Sequence, residues 1–465
     1  MIQKIKNKWN NLEKPNKLEF GLLFILLLAC FLVFNHPDLL CTSTHGRILL
    51  NLSFKGKFFE FYDFTQATAV YLIPIYIIFA IWSIPVKIIY AIFNIPYWHN
   101  FNYGSMQFVT QLWYKLLPVV FCIGTAVILW KIAKIIKMSE DKKRWMIFTF
   151  LGFPILVFAQ FIFGQYDSIN MFFTTLAIYY FLQRKYYKFS FAMSMAISLK
   201  LFPLFIFIPL ILMIEKRIIH IVKYLLIGIS TTAFSNLLFI GSKGFATAKE
   251  FTTDMVERFF VSGFQTAHGT ISFFLLIVIF ACVICYIKTF DKKNEKEFQY
   301  YVVYICLLIY SSFYIFILWH PQWVILLVPF WILSMFMFEN IKVSYILSVF
   351  LGIGYIFNTV IFFPGNVDES MINQGILPQL FNHYVPLDGG IRNILAKSNY
   401  ASIDMFMTIF GAVLIINLIM KFPTKKRLDS YKKGINEKMP EKGYILGLVA
   451  SILLFILPAI YLFIK

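Results

Sequence analysis

The side chains of this sequence best placed for acid–base or ionic chemistry gather at a handful of turns. Asp38 stands in Asn35-His36-Pro37-Asp38, with His45 and Arg47 a short way on and Asp63 in Phe61-Tyr62-Asp63. Gly164-Gln165-Tyr166-Asp167-Ser168 sets a carboxamide and a carboxylate between two apolar runs, and His320-Pro321-Gln322-Trp323 makes a second polar turn. Lys200 opens Lys200-Leu201-Phe202-Pro203 in an otherwise apolar stretch, and Arg258, His268 and Arg392 complete the set. A carboxylate in such a setting can take the proton of a hydroxyl. Lysine, arginine and histidine can stabilise an anion as it develops. One carboxylate with scattered cations suits a reaction whose leaving group, such as a phosphate, is already a stable anion. No second carboxylic acid is then needed.

Each of these residues has a structural alternative. Asp167 can cap the helix it opens, Lys200 can snorkel to headgroups, Asp63 can be a surface acid and His320 a loop histidine. Asp38 alone is a weak signal. The six cysteines include a Cys282-x-x-Cys285 pair inside an apolar run, which reads as packing rather than redox or metal chemistry. No motif indicates a divalent metal, so a metal requirement stays open. What separates these residues from ordinary polar turns is that they fall on one side of a membrane.

The 465 residues are 60% hydrophobic and 14% charged, with a mean hydropathy of +0.74. A soluble domain carries nearer a quarter charged. Soluble enzymes, secreted disulfide scaffolds and disordered tails are excluded. Runs of about twenty apolar residues span a bilayer, and roughly a dozen are present. Lysines 4, 6, 8, 14 and 17 precede the first run and place the N-terminus in the cytoplasm. Counting residues 67–93 as a crossing would leave the basic cluster Lys131–Arg144 outside. That segment also carries Pro74, Pro85 and Lys87, so it reads as broken or interfacial, and 107–130 as the second crossing. Residues 189–214 are flanked by basic residues at both ends and fit a re-entrant pair of half-helices bent at Lys200–Pro203. The remaining crossings are 145–163, 168–183, 221–240, 269–288, 298–318, 323–338, 342–363, 403–420 and 443–463.

The predicted fold is thus an all-α polytopic membrane protein. It has about eleven transmembrane helices, a re-entrant hairpin, and interfacial helices in a first outer loop over 35–106. A membrane domain covers 1–420, a basic cytoplasmic linker 421–442 and a final transmembrane helix 443–465. Most of the 42 Lys and Arg residues fall on the cytoplasmic side, while the 23 acidic residues divide almost evenly. The net charge of +19 is therefore an orientation signal, with some attraction to anionic lipid, and nucleic acid is not an expected partner.

The order of motifs is what resembles a known group. It runs from an acid just after the first helix, through a Tyr71-Leu72-Ile73-Pro74 segment in a long first loop, to Gly164-Gln165-Tyr166-Asp167. Lys200-Leu201-Phe202-Pro203 and His320-Pro321-Gln322-Trp323 follow. Together, over roughly 18–340, they resemble GT-C type polytopic membrane glycosyltransferases. The likeness implies a polyprenyl-phosphate sugar donor entering from the membrane lipid and transfer of a hexose at the outer face of the cell membrane. It implies Asp38 as the base, with inversion at the sugar. His45, Asp63, Gln165, Asp167, Lys200, Arg258, His268, His320, Gln322 and Arg392 are the candidate substrate-binding residues. The acceptor would be a glycan, teichoic acid or glycolipid. Where the family often has Tyr-Pro-Pro and Lys-Pro, this chain has Tyr71-Leu72-Ile73-Pro74 and Lys200-Leu201-Phe202-Pro203. A transporter or flippase of lipid-linked sugars is the competing class. It would favour inverted repeats with matching broken helices, and one broken hairpin without a second copy is present. A structural partner in a polysaccharide-export complex is a third.

Overall fold

The computed structural model describes residues 15–66, 68–95, 106–290, 294–363, 367–386, 390–397, 403–433 and 442–465. The first helix, α1 (Lys17–Val33), opens on a capping box. The Asn16 side chain accepts from the Glu19 amide at 3.0 Å, and the Glu19 carboxylate accepts from the Asn16 amide at 2.7 Å. Asn35-His36-Pro37 ends it, and the chain turns by 74° into α2 (Pro37–Phe54). A short α3 (Phe61–Thr65) leads to α4 (Ile73–Ile92).

Helix α4 packs along α2 because Gly46 has no side chain there: a Cβ on it would lie 2.4 Å from Phe79 Cβ. Lys87 ties the same pair by donating to Asn51 Oδ1 at 3.0 Å. The expected break in 67–93 is absent from Ile73 onward. Pro85 sits inside a continuous twenty-residue helix that is long and apolar enough to cross a membrane. Proline removes one ladder bond, and packing along α2 holds the helix together across it.

Next come α5 (Phe108–Ile135) and α6 (Glu140–Leu151), followed after a 41° bend by a Pro154–Phe163 segment whose residues Val157–Phe163 form a π-helix. Gly164, at φ +82°, closes that turn, and α7 (Asp167–Leu182) starts at the acid. Helix α8 (Tyr186–Leu199) is separated from α9 (Leu204–Ile214) by Lys200–Pro203, the break expected from the sequence. Helices α10 (Ile218–Leu238) and α11 (Lys243–Glu257) lead to an antiparallel ribbon of β1 (Gly263–Thr266) and β2 (Gly269–Ser272), with Phe264 opposite Ile271. This ribbon departs from the purely helical expectation. The residues after it form α12 (Phe273–Ile287), α13 (Glu295–Phe316), a 3-10 turn (Pro321–Leu327), α14 (Val328–Met337) and α15 (Ile341–Phe362).

Among the described residues six helices are long and apolar enough to span a membrane, or nine if each bent pair is one span, against the eleven expected. Part of the difference lies in the apolar helices Leu204–Ile214, Phe273–Ile287 and Pro321–Met337. Eleven residues of α9 rise about 16 Å, short of a hydrocarbon core of about 30 Å.

The C-terminal part comprises α16 (Val367–Asn373), α17 (Leu377–Phe381), α18 (Ile391–Ala396), α19 (Ile403–Met420), α20 (Lys425–Lys433) and α21 (Lys442–Ile464). Phe455 of α21 is buried, its ring 5.7 Å from Phe34 and 5.2 Å from Phe158. The buried apolar residues form two clusters. A large one runs through the helix bundle, and a smaller one gathers α2, α3 and α4 with Tyr114, Tyr166 and Leu199. Leu199 belongs to the small cluster and Phe202 to the large one, so Lys200 lies at the seam.

Candidate active site

Lys200 is placed by the end of α8. Its amide closes the helix on Ala196 at 3.1 Å, and its extended backbone turns the side chain into the protein, where it is buried. The ammonium finds no hydrogen-bond acceptor. Its charge partner is Asp167, whose Oδ1 lies 3.6 Å away, and neither oxygen of that buried carboxylate has a hydrogen-bond donor. Three rings enclose the ammonium: Tyr71 at 4.7 Å, Tyr166 at 5.2 Å and Trp323 at 5.2 Å. A cation on aromatic faces gains part of what a carbonyl would have given. Pair and cage leave the cation under-satisfied, open to another anion.

One side of Lys200 faces a cavity of about 390 Å³, with Tyr71, Ser198, Phe202, Asn236, Phe245 and Phe259 among its walls. The lining is mainly apolar. Helix α11 forms one wall, and Asp63 holds it there: its Oδ1 accepts from Ser242 Oγ at 2.9 Å and from the Gly244 amide at 2.8 Å. Asp63 therefore caps α11, and this contact is its place in the fold. A Cβ on Gly244 would meet the Tyr62 carbonyl oxygen at 2.2 Å, so the docking needs glycine.

Asp38 sits in the first turn of α2. Its amide donates to His36 Nδ1 at 3.3 Å, and that imidazole stacks on Phe163 at 4.0 Å. Burial lowers the His36 pKa to about 3, so the ring is neutral and no ion pair forms with the Asp38 carboxylate 3.6 Å away. The Asp38 side chain is 42% exposed. The surrounding protein raises its pKa above the ordinary carboxylate value, and Lys200 draws it partly back. The carboxyl is accessible, and its surroundings favour the protonated form more than water does.

His320 lies on the Trp323 ring at 4.6 Å and edge-on to Phe363 at 5.5 Å. Burial, then the positive charges of Lys200 and Arg258, lower its pKa to about 4, so it too is neutral. Those influences place Arg258 in the same neighbourhood, and its buried Nη1 has no hydrogen-bond partner. The Oε1 of buried Gln322 is likewise unpaired, whereas Gln165 turns its Oε1 to the Tyr166 amide at 2.9 Å.

Asp38, Asp167, Lys200, Arg258 and His320 thus share one electrostatic neighbourhood, with Gln165 and Gln322 on its turns. The remaining candidates have other surroundings. His45 is buried under the first-loop helices, bonded to Thr68 Oγ1 at 2.9 Å. His268 is exposed at the turn of the ribbon. The Arg392 amide donates to Asp368 Oδ2 at 3.1 Å, and its guanidinium reaches the Phe363 carbonyl at 3.5 Å. The aromatic cage is not legible in the sequence as a unit, although Tyr71, Tyr166 and Trp323 each sit within one of its motifs. Among the described residues no three His, Cys, Asp or Glu side chains converge as metal ligands.

No match was found among curated proteins. Gln165, Asp167, Lys200, Arg258 and His268 lie within a segment that a family model recognises, whereas Asp38 and His320 lie outside it. Over residues 105–277 the chain matches glycosyltransferase family 87, a GT-C-like family of polytopic membrane proteins, and that likeness indicates glycosyltransferase activity.

Proposed function

We propose that this protein takes a hexose from a polyprenyl-phosphate carrier and transfers it, with inversion, to a hydroxyl of a glycan, teichoic acid or glycolipid at the outer face of the cell membrane. The observation that carries this reading is Lys200. It is a buried ammonium without a hydrogen-bond acceptor, set between an apolar cavity and two carboxylates. A buried charge left under-satisfied is costly, and a ligand phosphate would relieve that cost. The carrier's apolar chain fits the cavity, and its phosphate meets Lys200 and Arg258.

The chemistry then needs little else. Asp38 accepts the proton of the acceptor hydroxyl as its oxygen attacks the anomeric carbon. The bond from that carbon to the phosphate oxygen breaks, and the electron pair leaves with the phosphate. The phosphate gains one negative charge, which Lys200 and Arg258 stabilise. Asp167 holds Lys200 in place, and Gln322 is available to a sugar hydroxyl.

The test is transfer by the purified full-length protein in nanodiscs, offered a panel of short-chain polyprenyl-phosphate hexoses and hydroxyl acceptors. Carrier release with formation of a glycosidic product supports the reading. Movement of intact lipid-linked sugar across proteoliposomes, without bond cleavage, would identify a transporter instead.

A further inference from the structure

Lys115 of α5 is fully buried, and its ammonium donates to three backbone carbonyls: Phe31 at 2.9 Å, Phe161 at 2.8 Å, and Phe34. Three acceptors around one nitrogen require all three ammonium protons. The carbonyls come from two helix ends. Phe31 and Phe34 close α1, four residues before Asp38 at the nearer one, and Phe161 lies in the π-helical turn, six residues before Asp167. Helix C-termini leave carbonyls unpaired and carry partial negative charge, which a cation satisfies. Phe161 is among the last residues of its helix, so its carbonyl has no partner within it and is free for this bond. Gly164 shapes the same spot: a Cβ there would stand 2.8 Å from Lys115 Cε. Beyond the clamp the two ends touch directly, His36 on Phe163 at 4.0 Å.

We propose that Lys115 is a positioning residue, whose three-carbonyl clamp joins the end of α1 to the π-helical turn and thereby fixes Asp38 relative to Asp167 and Lys200. This rests on the transfer function proposed above. The clamp touches neither donor nor acceptor. Losing it leaves the cavity and Lys200 intact, and lets the base drift from the phosphate. Small misplacements of a catalytic group cost large factors in rate.

Two readouts test it. In the native chain, Lys115→Met should lower kcat at least tenfold while the KM for the polyprenyl-phosphate hexose stays within twofold, at temperatures well below its melting point. In a chain without the six native cysteines, His36→Cys and Phe163→Cys should be joined by a short bis-thiosulfonate cross-linker, and Lys115→Met should slow that reaction at least fivefold. Wild-type kcat in Lys115→Met, or unchanged cross-linking, overturns the proposal. If Lys115→Met does not fold, Lys115→Arg is judged by the same measurements. Its planar fork cannot set three donors around one point, so both values should shift, and wild-type values overturn the proposal. The cross-link needs no substrate. A protein with no transferase activity would therefore refute the proposed function while the register of the two helix ends is still decided.

Discussion

Replacing Lys200 by methionine tests the proposed chemistry most directly, and its size can be worked out. Only charge that changes during the reaction counts towards rate. The carrier phosphate passes from one negative charge to two as the sugar leaves. A unit charge about 4 Å from an ammonium is worth about 4 kcal/mol at an effective dielectric of about 20. With half the new charge developed at the transition state, Lys200 contributes about 2 kcal/mol, a factor of about thirty in rate. Arg258 absorbs part of the loss, so transfer roughly tenfold to thirtyfold slower is expected. Stability complicates the single variant, because it strands the buried Asp167 carboxylate. Breaking a buried pair from one side costs about 3–5 kcal/mol. Lys200→Met/Asp167→Asn removes both charges and should recover most of the melting temperature without recovering rate. Lys200→Arg should retain part of the activity. Single-turnover transfer from a short-chain polyprenyl-phosphate hexose, measured beside thermal melting, separates the two effects. A rate within threefold of wild type in the double variant would refute the assignment of Lys200 to the phosphate.

Asp38→Asn should reduce transfer by about a hundredfold to ten-thousandfold, as expected for a lost general base. Because burial raises the Asp38 pKa, the native state holds its proton more tightly than the unfolded chain, so ionisation costs stability as pH rises. Asp38→Asn should then melt no lower than wild type at pH 7, and the acid limb of wild-type activity should fall above the ordinary aspartate value of about 4; a limb at or below that value counts against Asp38. Burial, then the neighbouring Asp368 carboxyl, raises the Glu369 pKa from 4.5 to about 8. Stability should therefore decline as pH rises through that window and level off above it, and Glu369→Gln should flatten the decline in a melting series from pH 5 to 9; parallel curves would refute this. For topology, cysteines at Gly56 and Pro386 should react with an impermeant outside reagent and those at Lys142 and Lys433 should not; outside labelling at Lys142 would overturn the orientation.

What could be read in advance were the breaks. Asn35-His36-Pro37, Gly164 and Lys200–Pro203 announce themselves through proline, glycine and polar residues between apolar runs, and the chain ends its helices at each. Continuity was harder to read than interruption. Pro85 signals a break, yet α4 runs through it because packing along α2 outweighs one lost ladder bond. The ribbon at Gly263–Ser272 and the π-helix at Val157–Phe163 carry no periodic signal of their own. Asp63 reads from the sequence as a surface acid or a substrate-binding residue, and its partners Ser242 and Gly244 lie 179 and 181 residues further along. No local pattern encodes such a contact.

The lysines show most clearly where sequence stops and structure begins. Lys115, Lys200 and Lys216 each sit in or beside an apolar run, and composition cannot rank them. In the structure they divide by what surrounds the nitrogen. Lys115 donates to three carbonyls, and Lys216 to those of Leu212, Cys285 and Lys288 at 2.6, 2.7 and 3.4 Å. Each is spent on holding backbone ends together. Lys200 alone of the three has no carbonyl partner, only a carboxylate at 3.6 Å and three aromatic faces. A cation that the fold has satisfied has no further capacity for an anion. One that the fold has enclosed and left unsatisfied, beside an apolar cavity, is where an anionic group on a lipid gains most by binding.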